Sequence, residues 1–292
     1  MKKLTESEKI NIVSNIRSIT KKYIQDNKLK SLVIGVSGGI DSGLDCALLK
    51  PVCDELGIPL IGRSITIESN KADEIERARN IGKCFCTDFK EVDLTDQFHV
   101  LKGFDDMEGG IDYSIPYKIR MGNIKARMRM IYLYNLASRT GGIVAGTENL
   151  TEHYLGFFTK NGDEASDIEP IRGLWKTEVY AISEYLASKM KKEESDALIA
   201  CVLCNATDGL GISSTDLDQI LPDWRDRHSS TRGGYEEVDD IFIDYFNTDL
   251  DIVELYEKNK NLRENSPVIQ RHIRTQFKRD GALIIKIDKT IR

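Results

Sequence analysis

The sequence predicts an α/β protein with a parallel sheet flanked by helices and a largely helical C-terminal third. Along the first two thirds of the chain, short runs of apolar, β-branched residues alternate with segments that have helical spacing. That alternation is typical of a parallel sheet covered on both faces. A second observation is a junction of small residues directly after the first strand run, where such folds bind ligands.

The first predicted elements are a helix, a strand, a second helix and a second strand. Apolar residues at helical spacing predict a helix over residues 4–26. Ser31–Val36 is a short β-branched run, typical of a buried parallel strand. The helix predicted over Asp41–Leu56 contains Pro51, which predicts a kink or a restart. Pro59–Ile65 is the second strand.

The alternation continues beyond the second strand. Asn70 is a candidate N-cap for a charged helix over Asn70–Ile81, and Phe85–Leu94 contains the third strand. A helix is predicted over Asn123–Ser138 and a fourth strand over Gly142–Gly146. The last predicted elements of this part are a long polar loop, Thr147–Ile168, and a helix, Trp175–Lys189.

Composition excludes several classes of protein. The chain has 292 residues, with 41 Lys and Arg against 47 Asp and Glu and a formal net charge of −6. This balance is that of a folded globular protein, not of a disordered or disulfide-scaffold chain, and it argues weakly against a general nucleic-acid binder. No run of about 20 apolar residues predicts a membrane span. Met1–Lys9 has no apolar segment typical of a signal peptide, so we expect a cytoplasmic protein.

The six cysteines include one suggestive spacing, Cys201-Val-Leu-Cys204. Such a pair is half of a zinc site, a redox pair, or two small apolar residues on one helix. The last interpretation is favoured because no second pair completes a four-ligand zinc site. Without a secretion signal, we expect reduced thiols.

The C-terminal third contains an acidic segment followed by a basic segment. Glu236–Lys258 contains nine acidic residues and one basic residue, whereas Lys260–Arg292 contains nine basic and three acidic residues. Solvated faces explain most such runs. The basic segment could also cover a site that holds phosphates.

The clearest chemical signal lies between the first strand and the second helix. Glycines allow a tight turn that brings N–H groups close to a ligand, and the helix N-terminus adds unpaired amides and a positive dipole end. Together they predict a phosphate site, although neither the Walker pattern nor GxGxxG is present. An ordinary glycine turn is the alternative. The residues of this phosphate loop are Gly35, Val36, Ser37, Gly38, Gly39, Ile40, Asp41 and Ser42.

Four blocks of the sequence carry a family resemblance. Ser37-Gly-Gly-Ile-Asp-Ser42 resembles the pyrophosphate loop of the ATP pyrophosphatases, which cleave ATP to AMP and pyrophosphate while adenylating a substrate oxygen. Gly122–Met130, Gly146–Asp163 and Asp167–Lys176 resemble the GNxxAR, GTxNxxE…GxFTKxGD and DxxPxxxLxK blocks of NAD synthetases, in the same order. Thr275–Arg279 resembles the C-terminal segment of that family with lower specificity.

The resemblance implies an ammonia-dependent NAD synthetase with an adenine nucleotide alpha hydrolase-like fold. It implies one domain over residues 1–292, with an ATP pyrophosphatase core over about 31–190 and a helical extension over about 191–292. The implied reaction is amidation of deamido-NAD with ammonia through an acyl-adenylate, giving NAD, AMP and pyrophosphate. The family also implies Mg²⁺ and a homodimer with active sites near the interface. The basic tail could then cover the dinucleotide of its own or of the partner subunit.

The same resemblance assigns the site residues. Besides the phosphate loop, ATP is assigned to Arg63, Thr147, Lys176 and, more loosely, Thr207, where the family's Thr-Ala-Asp-Leu is replaced by Thr-Asp-Gly-Leu. Mg²⁺ is assigned to Asp41 and Glu152. The residues assigned to deamido-NAD are Arg127, Lys160, Asp167, Phe277 and Lys278, with Phe277 in place of a common His.

Three of these assignments also have physical support. A carboxylate at a phosphate loop, such as Asp41, favours a bridging cation, because bare phosphates would repel it. The alternative for Asp41 is a helix-capping role. Glu152 follows the fourth strand and belongs to the same sheet edge. Lys176 begins a helix, where the dipole disfavours a cation unless it faces an anion.

No side chain is expected to act as a nucleophile, because the substrate carboxylate attacks ATP itself. Two other interpretations remain open. One is a different amidating or thiolating ATP pyrophosphatase, in which a tRNA thiolase would use Cys201 and Cys204. The other is a non-catalytic nucleotide-binding module. ATP–pyrophosphate exchange that requires deamido-NAD separates the three.

The nitrogen source is predicted to be free ammonia. One type of glutaminase uses an N-terminal cysteine, but residue 2 is Lys2. A nitrilase-like glutaminase domain of about 250 residues does not fit beside the synthetase blocks. No cysteine lies in a recognisable nucleophile turn.

Overall fold

The computed structural model describes residues 3–68, 71–109, 114–205, 207, 212–247 and 252–285. Its sheet contains four parallel strands in the order β3-β2-β1-β4, and the strands are β1 (Leu32–Gly35), β2 (Leu60–Thr66), β3 (Asp88–Asp93) and β4 (Ile143–Ala145). The chain adds β2 and β3 on one side of β1 and returns to add β4 on the other side. The gap between the carboxyl ends of β1 and β4 is therefore the switch point at which such sheets bind ligands.

Both faces of the sheet are covered because side chains alternate along each strand. Leu32 and Ile34 of β1 are fully buried against helices α1 (Glu6–Asp26), α2 (Ile40–Leu56) and α3 (Ala72–Phe85). Val33 faces the opposite side, where it packs with residues of the long helix α5. Helix α5 spans Ile115–Thr140 and is preceded by α4 (Thr95–Gly109). The predicted α/β class with a parallel sheet is confirmed.

Several predicted boundaries are wrong. The helix predicted to start at Asn123 begins at Ile115, where the Ser114 hydroxyl accepts the Tyr117 N–H, and α4 was not predicted. The loop predicted over Thr147–Ile168 contains a short helix, α6 (Leu150–Leu155). Helix α3 continues to Phe85, and its predicted first residue, Asn70, lies outside the described residues.

Helix α2 runs without a break through Pro51. Proline has no N–H, so the carbonyl one turn earlier, that of Ala47, lacks its helical donor. The guanidinium of Arg17 on α1 donates to that carbonyl at 3.2 Å and to the Leu48 carbonyl at 3.3 Å. A side chain from the neighbouring helix therefore replaces the hydrogen bond that the proline removes.

The C-terminal third is helical, as predicted. After α7 (Lys176–Ala187) and α8 (Lys192–Val202), its helices are α9 (Leu217–Ile220), α10 (Trp224–Arg227), α11 (Thr231–Phe246), α12 (Ile252–Asn265), α13 (Pro267–Arg274) and α14 (Gln276–Arg279). Helix α11 buries Tyr235, Val238 and Phe242 in the same core as the sheet. Within the described ranges, no helix has the length and apolar character needed to cross a membrane.

Candidate functional site

The phosphate loop connects β1 to α2 and is closed by its own serines. The Ser42 hydroxyl accepts the Ser37 N–H at 3.3 Å and donates to the Gly39 carbonyl at 3.2 Å. Gly38 has φ +83°, and a Cβ there would lie 2.3 Å from the carbonyl oxygen of Glu74 on α3. Only glycine fits this position. No described side chain caps α2 at Gly39, so the first amides of the helix are open to an anion.

A part-buried ion-pair cluster, centred on a buried lysine, lies beside this loop. The Lys176 ammonium is 2.5 Å from Oδ2 of Asp41 and 3.0 Å from Oε1 of Glu152, and the Lys176 side chain is only 1% exposed. Asn149 donates to the other oxygen of Asp41 at 2.8 Å. The structure therefore brings together the residues of α2, α6 and α7 that were assigned to ATP and Mg²⁺.

Local sequence explains the position of Glu152. Asn149 is the N-cap of α6, and its side chain accepts the Glu152 N–H at 3.0 Å. The Glu152 carboxylate accepts the Asn149 N–H at 3.4 Å in return. This capping box fixes Glu152 in the first turn of α6. Thr147 precedes it at the carboxyl end of β4, where it is half-buried.

The charges in the cluster depend on one another. Burial and the charge of Asp41 raise the pKa of Glu152 to about 7, while Lys176 opposes that shift. Burial would lower the pKa of Lys176, but the charges of Asp41 and Glu152 raise it well above its ordinary value. Lys176 is therefore a cation held between two carboxylates.

Asp41 and Glu152 have the chemistry of a Mg²⁺ site that is shared with a substrate. Mg²⁺ takes one or two protein carboxylates and completes its shell with water and phosphate oxygens. Both carboxylates converge on one cationic centre, which is occupied by the Lys176 ammonium. Among the described residues, no group of three or more His, Cys, Asp and Glu side chains is arranged to hold a metal alone. The donor set fits a cation that is bound together with phosphate.

Four of the five residues assigned to the second substrate, all except Asp167, lie where the tail meets the segment after α6. Arg127 donates to the Lys160 carbonyl at 3.1 Å, and the Lys160 ammonium donates to the carbonyls of Phe277 and Asp280, each at 3.1 Å. Lys278 donates to the Gly156 carbonyl at 2.5 Å. These contacts fold the basic tail back onto the segment after α6 in its own subunit.

A polar cavity of about 340 Å³ opens beside this tail. Its basic lining residues are Arg172, Lys278 and Arg279, and Glu164 and His153 also line it. Burial, with Arg172, lowers the pKa of His153 to about 4, so the imidazole is neutral and the positive charge comes from the other three. The Phe277 ring is 67% exposed. The cavity therefore offers cations to an anionic ligand, whereas Phe277 is exposed on the tail and does not line it.

Three assigned residues have other contacts. The Arg63 guanidinium donates to the Asp88 carboxylate at 2.8 Å and is 3% exposed, so the structure does not bring it into the ion-pair cluster. Asp167 accepts the Val144 N–H at 2.8 Å and thereby binds the backbone of β4. The Thr207 hydroxyl donates to Glu74, whose carbonyl lies against Gly38.

Asn149 and Asp239 are two site residues without a sequence-based role. Asn149 lies in the Gly146–Asp163 block, and the spacing Asn149-x-x-Glu152 is itself typical of a capping box. Asp239 lies on α11, is fully buried, and accepts hydrogen bonds from Thr151 and Thr177. No local pattern points to Asp239, because its partners are 62 and 88 residues away.

Comparison with known proteins identifies the family. A family model described as NAD synthase matches residues 12–282. The NH(3)-dependent NAD(+) synthetase of Thermoplasma acidophilum is 34% identical over 220 residues, which cover 74% of this chain and 84% of that protein. The chain belongs to the NAD synthase family. Proteins of this family amidate deamido-NAD at the expense of ATP, forming a carbon–nitrogen bond in the last step of NAD biosynthesis.

Solved structures share the fold of this NAD synthase family member. The NMN synthetase of Francisella tularensis superposes with a TM-score of 0.73 at 23% identity, covering 96% of this chain and 99% of that one. The NH3-dependent NAD synthetase of Campylobacter jejuni, solved with a nitrate ion, gives a TM-score of 0.61 at 20% identity over 95% and 99% of the two chains.

Proposed function

We propose that this protein is an ammonia-dependent NAD synthetase whose ATP site is the ion-pair cluster at the switch point. The nicotinate carboxylate of deamido-NAD attacks the α-phosphorus of ATP, the bond to the β-phosphate oxygen breaks, and pyrophosphate leaves. Ammonia then attacks the acyl carbon, AMP leaves, and the nitrogen loses one proton. The observation that carries the proposal is the Lys176 ammonium held between Asp41 and Glu152 beside the phosphate loop.

In this proposal, Asp41 and Glu152 hold Mg²⁺. When bound, the ion neutralises charge on the leaving pyrophosphate. Lys176 leaves the two carboxylates and places its ammonium on phosphate oxygens, where it offsets the same charge. The amides at the start of α2, those of Ile40, Asp41 and Ser42, orient the phosphates, since the Gly39 N–H already donates to the Ser37 hydroxyl. Catalysis is positioning and charge stabilisation, because the nucleophile belongs to the substrate.

The dinucleotide is assigned to the cavity beside the tail. Lys278 lines this cavity and contributes positive charge for a carboxylate or pyrophosphate. Lys160 lies outside the lining, where it binds carbonyls of the tail and accepts a hydrogen bond from Arg127 through its own carbonyl, and it adds positive charge beside the cavity. The exposed ring of Phe277 offers a stacking surface for a base. One carboxylate oxygen of Asp167, Oδ2, accepts the Val144 N–H of β4. In this proposal, the other oxygen, Oδ1, accepts a hydrogen bond from a ribose hydroxyl or an ammonium.

We also propose a homodimer. Exposed apolar residues lie near the connection between α4 and α5, namely Val100, Leu101, Ile115 and Ile119. Large apolar side chains left exposed on two helices that contact each other favour a protein interface. Sedimentation should show a mass of two chains, and Ile119→Lys should shift it towards one chain. Ile10→Lys, at an exposed site on α1, is the matched control; a wild-type monomer would contradict the dimer.

Substrate dependence of ATP–pyrophosphate exchange tests the function. Purified protein with Mg²⁺ and ATP is assayed without acid, with deamido-NAD, and with nicotinate mononucleotide, since one structural neighbour is named an NMN synthetase. We expect exchange only with deamido-NAD. Exchange with the mononucleotide alone would replace the proposed substrate. Nucleotide binding without exchange under any condition would instead indicate a non-catalytic module.

A further inference from the structure

Asp239 on α11 is a fully buried carboxylate at the centre of a hydrogen-bond network. Its Oδ1 accepts the Thr151 hydroxyl at 2.5 Å. Its Oδ2 accepts both the backbone N–H of Thr177 at 2.9 Å and the Thr177 hydroxyl at 2.7 Å. A buried carboxylate with several donors is costly to lose, since the donors are then left unpaired.

The network reaches the ATP site from two directions. Thr151 directly precedes Glu152 in α6, and Thr177 directly follows Lys176 in α7. The Thr151 hydroxyl also accepts the Lys176 N–H at 2.8 Å. Asp239 therefore joins the first turns of the two helices that carry Glu152 and Lys176.

We infer that Asp239 is a positioning residue that sets the distance between Glu152 and Lys176 and so completes the ATP site from the helical C-terminal extension. It touches neither substrate nor the reacting atoms; it acts by holding α6 and α7 in register. The proposal rests on the proposed function, because it assigns Asp239 to the ATP site of that reaction.

A charged carboxylate suits this position better than an amide. Thr151 and Asp239 together satisfy the first two amides of α7, those of Lys176 and Thr177, and a negative charge at a helix N-terminus is favourable. That charge also offsets the unfavourable placement of the Lys176 cation at the same helix start. An asparagine in place of Asp239 has one acceptor oxygen for three donors, so at least one bond is lost.

Asp239→Asn in the full chain tests the role. We expect kcat to fall about 10²-fold, the loss typical of small displacements of catalytic groups. The Mg²⁺ concentration for half-maximal rate should rise, because Glu152 is displaced, while KM for deamido-NAD should not change. Glu236→Gln is the matched control, since it removes a charge from an exposed position on the same helix, and it should match wild type.

Thr151 supplies a second pair of variants in case Asp239→Asn does not fold. Thr151→Val removes the bridging hydroxyl and should lower kcat and raise the Mg²⁺ requirement in the same way. Thr151→Ser keeps the hydroxyl and should restore both. A lower melting temperature with unchanged kcat and Mg²⁺ requirement in Asp239→Asn and Thr151→Val would overturn the inference, because it would leave Asp239 a structural role only.

Binding of Mg·ATP separates this inference from the proposed function. Mg·ATP should raise the melting temperature of the wild type, and that rise requires no acid substrate. If the wild type amidates neither acid substrate, the proposed function fails. The inference would still be supported if Mg·ATP raised the melting temperature of the wild type and of Glu236→Gln but not that of Asp239→Asn. An equal rise in all three proteins would overturn it.

Discussion

The buried ammonium of Lys176 and the half-buried carboxylate of Asp41 form an ion pair at the switch point of the sheet, with the ammonium 2.5 Å from Oδ2. Lys176 is the first residue of α7, and Asp41 is the second residue of α2. Two helix N-termini thus face one cation, although both dipole ends disfavour it. The carboxylates of Asp41 and Glu152 offset this cost.

Replacing either carboxylate should remove turnover. Asp41→Asn or Glu152→Gln eliminates a proposed Mg²⁺ ligand, and we expect the rate of NAD formation to fall about 10²-fold or more. Circular dichroism checks that each variant is folded, since removing one partner of a buried pair also costs stability. Asp54→Asn, an exposed site on α2 that pairs only with Lys50 among the described residues, is the control. Near-normal rates at saturating Mg²⁺ would refute the metal assignment.

Lys160→Ala should weaken the binding of deamido-NAD more than the binding of ATP. The Lys160 ammonium donates to the carbonyls of Phe277 and Asp280, and its proposed ligand is deamido-NAD. We expect KM for deamido-NAD to rise while KM for ATP stays near wild type. Lys189→Ala, at an exposed lysine paired with Glu6, controls for loss of charge. The reverse pattern, poor ATP binding with normal deamido-NAD binding, would exchange the roles of Lys160 and Lys176.

The kcat/KM for ATP in the adenylation half-reaction should fall as the pH drops through about 7, the pKa of Glu152. Burial and Asp41 raise the pKa of Glu152 to about 7, so below that pH the carboxyl becomes protonated and loses its capacity as a metal ligand. The kcat/KM for ATP in ATP–pyrophosphate exchange reports the groups of the free enzyme, and ammonia takes no part in that exchange. A flat profile between about pH 8 and about pH 6 would contradict the role of Glu152.

Arg17→Met should destabilise the fold without affecting the site. Arg17 donates to the Ala47 carbonyl, which Pro51 leaves without a helical donor. Loss of hydrogen bonds from a charged donor should lower the free energy of unfolding by about 1–3 kcal/mol. Urea denaturation measures it, and Lys21→Met, an adjacent salt-bridge site on α1, is the control. Equal stabilities of the two variants would show that Arg17 has no special role.

The sequence was sufficient where a signal is local. Strands β1, β2 and β4 are short apolar runs that contain β-branched residues, and the phosphate loop is a glycine turn between a strand and a helix. By contrast, α6 was missed because its surroundings are rich in Gly, Thr and Asn, although Asn149 and Glu152 form its capping box. The early start of α5 at Ile115 was missed because that turn depends on the Ser114 cap and not on apolar spacing.

Side-chain contacts between distant segments could not be predicted. Arg63 lies in the middle of β2 and not near its end as expected, and its guanidinium donates to Asp88 of the neighbouring strand β3. Asp239 is joined to the ion-pair cluster by hydrogen bonds from Thr151 of α6 and Thr177 of α7, which form only when α11 packs against these helices. Neither contact has a sequence spacing that encodes it, because each depends on how separate elements meet in three dimensions.

The central claim is tested most directly by product analysis with two nitrogen sources. Purified protein is incubated with deamido-NAD, ATP and Mg²⁺, and then with either ammonium or ammonium-free glutamine. We predict NAD, AMP and pyrophosphate in equal amounts with ammonium, at a rate that rises with pH as more ammonia is unprotonated, and essentially no NAD with glutamine. No NAD with ammonium, or efficient synthesis from glutamine with glutamate released in step, would contradict the account.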